Sequence, residues 1–127
     1  MRILIADDHI GVRQGLREIL ADALRGGEFF EASNGDEVFG YLEGHEFDLI
    51  LLDINMPGRS GLRVLEDVVR NHPTVPVVMV SVQPEDQYAA CCLRSGAAAY
   101  VNKDKAIEEL PAVVRKILAD RHPEPAF

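Results

Sequence analysis

The chain has 127 residues, 47% of them hydrophobic, which is enough apolar material for one domain with a sizeable core. Its formal net charge of −8 at pH 7 argues against nucleic-acid binding by this domain alone, because phosphate-backbone recognition needs a clustered basic surface. No apolar run approaches the roughly 18 residues of a membrane span and no leader opens the chain, so we expect a cytoplasmic protein with no membrane partner.

Short apolar runs alternate with stretches of helical periodicity along the first half of the chain, which predicts alternating strands and helices. Gly26 and Gly27 follow the first helical stretch, where a helix end favours glycine. The segment 33–37 offers capping side chains and early negative charge for the second helix. In chain order, we predict a strand at 3–6, a helix at 12–24, a strand at 29–32, a helix ending near 42 and a strand at 49–52.

The same alternation continues through the second half, where proline marks several boundaries. Pro84 suits the first turn of a helix, and Pro76 lies at a strand start, where a missing donor is tolerated. Pro111 requires that the last helix begin shortly before it or kink. In chain order, we predict a helix from 62 to near 72, a strand at 77–80, a helix from 84 to 95, a strand at 98–101 and a helix at 107–118. Residues 1–119 are thus predicted to form one domain and 120–127 to be a linker or frayed tail.

Acidic residues and one lysine stand at the ends of three predicted strands. Asp7 and Asp8 end the first strand, Asp53 ends the third, and Lys103 follows the fifth. Five successive strand–helix units require parallel strands with helices on both faces, so these ends share one edge of the sheet. Each residue alone could be a turn former or a solvated lysine, but their coincidence favours a functional polar cluster.

Four spaced motifs of the chain resemble the receiver domain of bacterial two-component response regulators. They are Ile3–His9, Asp53–Gly58 with Gly61, Ser81 after the fourth strand, and Ala99–Lys103. The residues around Asp8 are most similar to the subfamily with LuxR-type helix-turn-helix output, although no such module follows in this sequence. The resemblance covers nearly the whole chain. It implies a flavodoxin-like, doubly wound α/β fold with five helices and a five-stranded parallel sheet in the order 2-1-3-4-5.

The resemblance also implies that a sensor histidine kinase transfers a phosphoryl group to Asp53. A carboxylate can act as a nucleophile toward phosphorus while a metal ion and Lys103 neutralise the developing charge. Clustered carboxylates need a compensating cation, and oxygen ligands suit Mg²⁺, or Mn²⁺. We expect the metal on Asp8 and Asp53, with Asp7 binding directly or through water, and the resemblance adds the backbone carbonyl of Asn55.

Ser81 and Tyr100 are candidate switch residues. Ser81 could be a plain turn hydroxyl, yet a short hydroxyl there can hydrogen-bond a phosphoryl oxygen, and receivers use Ser or Thr in that role. Tyr100 alone would be read as a packed aromatic residue, so its pairing with Ser81 rests on the resemblance. Val82 directly follows Ser81, and its branched side chain should narrow the access of water and slow hydrolysis.

Three kinds of function remain open at this stage. The first is a phosphorylation-dependent switch, rather than an enzyme, that controls transcription through a DNA-binding output or acts on a partner protein, with a possible phosphorylation-dependent homodimer. The second is a phosphohydrolase of the haloacid dehalogenase type. That chemistry needs a second Asp two residues after the nucleophile, where this chain has Asn55. The third, an inactive receiver that only binds protein, would not need Ser81 and Lys103 together with the acidic residues.

Overall fold

The computed structural model describes residues 1–121, and these contain one parallel sheet of five strands. The strands are β1 (Arg2–Ala6), β2 (Glu28–Ala32), β3 (Leu49–Leu52), β4 (Val77–Ser81) and β5 (Ala99–Asn102). Their order is β2-β1-β3-β4-β5, and every neighbouring pair is parallel. The predicted fold and strand order are therefore confirmed.

Five helices cover the sheet, and a 3₁₀ turn at Lys103–Lys105 precedes the last of them. They are α1 (Ile10–Ala23), α2 (Gly35–Gly44), α3 (Gly61–Asn71), α4 (Glu85–Arg94) and α5 (Ala106–Arg121). The side chain of Asn34 caps α2 by accepting a hydrogen bond from the backbone N–H of Glu37, as the polar segment before this helix predicted. Ser60 caps α3 in the same way.

The two faces of the sheet bury separate hydrophobic cores, because successive strand residues point to opposite sides. Leu4 of β1 packs in the core beneath α2, α3 and α4, whereas Ile3 and Ile5 pack in the core beneath α1 and α5. Strand β3 is buried at every position. Its apolar run thus reflects burial on both faces, which is typical of a central parallel strand.

Two helix boundaries differ from the prediction. Pro84 is the N-cap of α4, one position before its first turn. Helix α5 begins at Ala106, so Pro111 lies in its second turn, and the helix continues to Arg121, two residues past the predicted boundary at 119. The last turn of a helix can be polar, because backbone hydrogen bonds continue it without apolar residues. A helix end predicted from apolar periodicity alone therefore falls too early. The rest of the predicted tail, residues 122–127, lies outside the described residues.

Candidate functional site

The carboxyl ends of the strands bring Asp7, Asp53 and Lys103 together. The ammonium Nζ of Lys103 lies 2.6 Å from Oδ2 of Asp7 and 3.2 Å from Oδ2 of Asp53. Both carboxylates are buried, with 1% of Asp7 and 3% of Asp53 exposed. One partly buried cation therefore faces two buried anions, which leaves this part of the site with excess negative charge.

This arrangement changes the acidity of both partners. Burial raises the pKa of Asp53, the charge of Lys103 opposes that rise, and the negative charge of Asp7 adds to it. Burial alone would lower the pKa of Lys103, but the contact with Asp7 and the charge of Asp53 outweigh it and raise that pKa. Lys103 thus stays protonated. A further cation bound nearby would compensate the buried negative charge of Asp53.

The donor set of the site fits a hard divalent cation. Oδ2 of Asp7 is buried and forms an ion pair with Lys103, but it accepts no hydrogen bond of regular geometry within the described part of the chain. Asp8 lies at the edge of the site with its side chain 33% exposed, so it is open to solvent and to an entering ion. Carboxylate oxygens with access to water are the ligands that Mg²⁺ and Mn²⁺ prefer.

His9 joins the acidic pair, a contact that sequence reasoning missed. It is the N-cap of α1, and its ring Nδ1 lies 2.9 Å from Oδ1 of Asp8 and 3.4 Å from Oδ1 of Asp7. Among the described residues, the ligand atoms that cluster within 4.8 Å of one another belong to Asp7, Asp8 and His9. The pairing of Asp8 with Asp53 as metal ligands stays a prediction, and in this structure Oδ2 of Asp53 accepts a hydrogen bond from Nζ of Lys103.

The backbone around Asp53 is fixed by the loop that follows β3. The N–H of Asp53 donates to the carbonyl of Ala6 at 3.0 Å, and the N–H of Asn55 donates to Oδ1 of Asp53 at 3.3 Å. The N–H of Gly61, which opens α3, donates to the carbonyl of Ile54 at 2.7 Å. A Cβ atom at Gly61 would lie 1.9 Å from the carbonyl oxygen of Asp53, so glycine is required for this close approach.

Ser81 and Tyr100 meet at the loop that follows β4. The fully buried Ser81 accepts a hydrogen bond from the N–H of Gln83 at 3.2 Å, and the hydroxyl of Tyr100 donates to the carbonyl of Gln83 at 2.7 Å. Tyr100 is only 8% exposed, so its ring lies inward. Sequence reasoning missed Gln83 because it contributes backbone atoms, and a backbone contact leaves no side-chain signal in the sequence.

The chain is similar to known proteins over most of its length. The model of the response regulator receiver domain family matches residues 3–115. The response regulator GacA of Pseudomonas viridiflava is 34% identical over 119 residues, which are 94% of this chain and 56% of that protein. UvrY of Escherichia coli K12 is 32% identical over 117 residues, which are 92% of this chain and 54% of that protein. The chain spans about half the length of the curated relatives it matches.

Solved structures agree with the fold. A CheY-like receiver domain protein from Methanospirillum hungatei JF-1 superposes with a TM-score of 0.86 at 27% identity, covering 98% of both chains. A LuxR-family DNA-binding response regulator from Staphylococcus aureus gives a TM-score of 0.82 at 27% identity, over 92% of this chain and 98% of that chain. In the described residues, no helix is long and apolar enough to cross a membrane.

Proposed function

The chain belongs to the response regulator receiver family, and we propose that Asp53 is the residue on which it accepts a phosphoryl group from a sensor histidine kinase. Receiver domains are signalling switches of two-component systems that work through phosphorylation. The observation that carries the assignment is the buried Asp53 carboxylate, which shares the ammonium of Lys103 with Asp7. A nucleophile held beside a fixed cation is the arrangement that phosphoryl transfer requires.

In the proposed step, a carboxylate oxygen of Asp53 attacks the phosphorus of a phosphohistidine. The new O–P bond forms as the P–N bond breaks, and the imidazole nitrogen leaves with the electron pair and takes a proton from water. Lys103 neutralises negative charge on the phosphoryl oxygens as they approach the site. The domain would then catalyse only its own phosphorylation and dephosphorylation.

We assign the metal to Asp8 and Asp53, with Asp7 as a direct or water-mediated ligand and the backbone carbonyl of Asn55 as a further donor. Receiver domains generally bind Mg²⁺ through an acidic cluster, and the buried oxygens described above fit that ion or Mn²⁺. When bound, the cation supplies positive charge that stabilises the phosphoryl oxygens. The phosphohydrolase alternative loses support, because the amide of Asn55 cannot act as the acid/base that this chemistry needs.

Ser81 and Tyr100 are the proposed switch. The hydroxyl of Ser81 would hydrogen-bond a phosphoryl oxygen on Asp53, and the contact that Ser81 makes with Gln83 would then change. Tyr100, on the neighbouring strand, donates to the carbonyl of the same Gln83 whose N–H donates to Ser81, so a shift in this loop would reach the ring. The coupling is a shift of population whose size is limited by the free energy of the new bonds.

The acceptor assignment is tested by phosphorylation in vitro. Incubation with acetyl phosphate and Mg²⁺ should add one phosphoryl group by intact mass spectrometry, and chelation of the metal should abolish labelling. Asp53→Asn should remove labelling, whereas the matched control Asp104→Asn, at an exposed aspartate of the 3₁₀ turn, should keep it. Labelling of Asp53→Asn to the wild-type extent would refute the assignment.

The length of the relatives supports a proposal for the output of the switch. Since GacA and UvrY are about twice as long as the region they share with this chain, we propose that phosphorylation controls a DNA-binding output module or a partner protein and thereby transcription. The net charge of −8 supports the view that this domain itself binds no nucleic acid. A phosphorylation-dependent homodimer is the form in which we expect it to act.

A further inference from the structure

Asp7 has a defined contact at every polar group. Its N–H donates to the carbonyl of Ala32 on β2 at 3.0 Å, and its Oδ1 accepts from the N–H of His9 at 2.9 Å. Its Oδ2 lies 2.6 Å from Nζ of Lys103. Its carbonyl oxygen accepts a hydrogen bond of 2.6 Å from Nη1 of Arg13. The direction of the carboxylate is therefore set by contacts to the peptide groups on both sides of it.

Arg13 makes a second contact that fixes its own position. The residue lies in the first turn of α1, and its side chain is only 13% exposed. While Nη1 holds the carbonyl of Asp7, Nε donates to Oε1 of Glu31 on β2 at 2.9 Å. One planar guanidinium thus joins the loop that carries the acidic pair to the edge strand, a geometry that a lysine cannot reproduce because it has one donor centre.

We propose that Arg13 is a positioning residue for the metal-binding and phosphoryl-transfer site. It acts through the peptide of Asp7, which it fixes so that the carboxylate faces Lys103 and the metal. This inference rests on the proposed function, since it assigns Arg13 to the support of that site. When a residue that hydrogen-bonds to a metal ligand and orients it is replaced, metal affinity typically falls by about 10- to 100-fold.

The sign of the effect separates positioning from simple electrostatics. Arg13 is a cation near a cation site, so its charge alone opposes metal binding, and a purely electrostatic role predicts that Arg13→Ala binds Mg²⁺ more tightly. Positioning predicts weaker binding. Arg17 provides a matched control, because its Nη1 lies 3.4 Å from Oε2 of the same Glu31, while its side chain is 50% exposed and its guanidinium stacks on Phe29.

Mg²⁺ affinity is to be measured by NMR titration of the amides near Asp53 for the wild type, Arg13→Ala, Arg13→Lys and Arg17→Ala, with acetyl phosphate labelling in parallel. We expect Arg13→Ala to weaken Mg²⁺ binding by about 10-fold. Arg13→Lys, which keeps the charge, should also weaken Mg²⁺ binding. If Arg13→Ala does not fold, the affinity of Arg13→Lys decides the test. Arg17→Ala should match the wild type.

Two outcomes would overturn the inference in distinguishable ways. The first is that the wild type binds Mg²⁺ and is labelled, but both Arg13 variants bind the ion as tightly as the wild type or more tightly. The same holds if Arg17→Ala loses as much affinity as the Arg13 variants. In either case positioning by Arg13 is wrong and the proposed function stands. If the wild type itself neither binds Mg²⁺ nor accepts a phosphoryl group, the proposed function fails and the inference fails with it.

Discussion

Tyr100 links the interior of the molecule to the loop that follows β4. Its ring packs in the core beneath α2, α3 and α4, and its hydroxyl donates to the carbonyl of Gln83. The ring is 8% exposed, so it already has an inward position in this structure. A response to phosphorylation would therefore raise the share of a conformation that the chain already favours through packing.

The hydroxyl of Tyr100 gives a pH-dependent prediction. Burial raises its pKa, and the neighbouring Ser81 hydroxyl opposes that rise. The pKa of a tyrosine in the unfolded chain is about 10. If the pKa is higher in the folded state, the group contributes stability that is fully present below the unfolded-state pKa. This contribution is lost as the pH rises through the folded-state pKa. We expect Tyr100→Phe to lower the free energy of unfolding by about 1 kcal/mol at pH 7, because the Gln83 carbonyl loses the shorter of its two hydrogen bonds and keeps only the 3.4 Å contact with Nδ2 of Asn102.

Urea unfolding at pH 7 and above pH 10 is the measurement for Tyr100. The difference between wild type and Tyr100→Phe should shrink at the higher pH, where the wild type loses its contribution. Tyr88→Phe serves as a control, because it removes a phenol on α4 that takes no part in the bond to Gln83. A difference that stays constant or grows with pH would contradict the assignment.

At the scale of elements, the start of α3 determines how closely that helix approaches the backbone of Asp53, which follows β3. A Cβ at Gly61 would lie 1.9 Å from the oxygen and 2.7 Å from the carbon of the Asp53 carbonyl, which are backbone atoms and cannot move aside by a rotamer change. We predict that Gly61→Ala destabilises the domain by about 3 kcal/mol or more and reduces phosphorylation, since the shift is transmitted to Asp53.

Gly40 offers the matched substitution, because it is an exposed residue inside α2 and a Cβ there would meet nothing within 4 Å. Gly40→Ala should stabilise the domain by about 0.5–1 kcal/mol, the usual advantage of alanine over glycine in a helix. Thermal unfolding of both variants measures the two effects. If Gly61→Ala and Gly40→Ala changed stability by the same amount, the close packing of α3 against Asp53 would not matter.

The elements themselves could be predicted because local pattern and topology agree. Apolar runs such as Leu49–Leu52 need burial on both faces, and only a parallel sheet with helices on each side provides it. The same logic brings Asp53 and Lys103 to one edge. The contact of Arg13 with the carbonyl of Asp7 could not be predicted, because a side chain that reaches a backbone atom leaves no spacing rule in the sequence. The position of His9 against Asp8 depends likewise on the geometry of one loop.

At the scale of the whole molecule, the site lies at the sheet edge, between two hydrophobic cores. Strand β3, which ends directly before Asp53, contributes Leu49 and Leu51 to the core under α1 and α5, and Ile50 and Leu52 to the opposite core. A displacement at the end of this strand is therefore transmitted to both faces, because packed cores respond by discrete rearrangement rather than by smooth deformation. This favours a change of surface that a second molecule can recognise.

The last prediction follows from that change of surface and from the charge of the domain. Light scattering should detect a dimer when Mg²⁺ and beryllofluoride are added to the wild type. The oligomeric state of Asp53→Asn should not change under the same conditions. A gel shift with promoter DNA at low salt should detect no complex in either state, because a net charge of −8 repels the phosphate backbone most strongly when salt does not screen it. Tight DNA binding by the 127 residues would refute the interpretation that a separate output module reads the DNA. A monomer that persists with the phosphoryl analogue would instead favour a receiver that signals by engaging another protein, and the two assays together distinguish these modes.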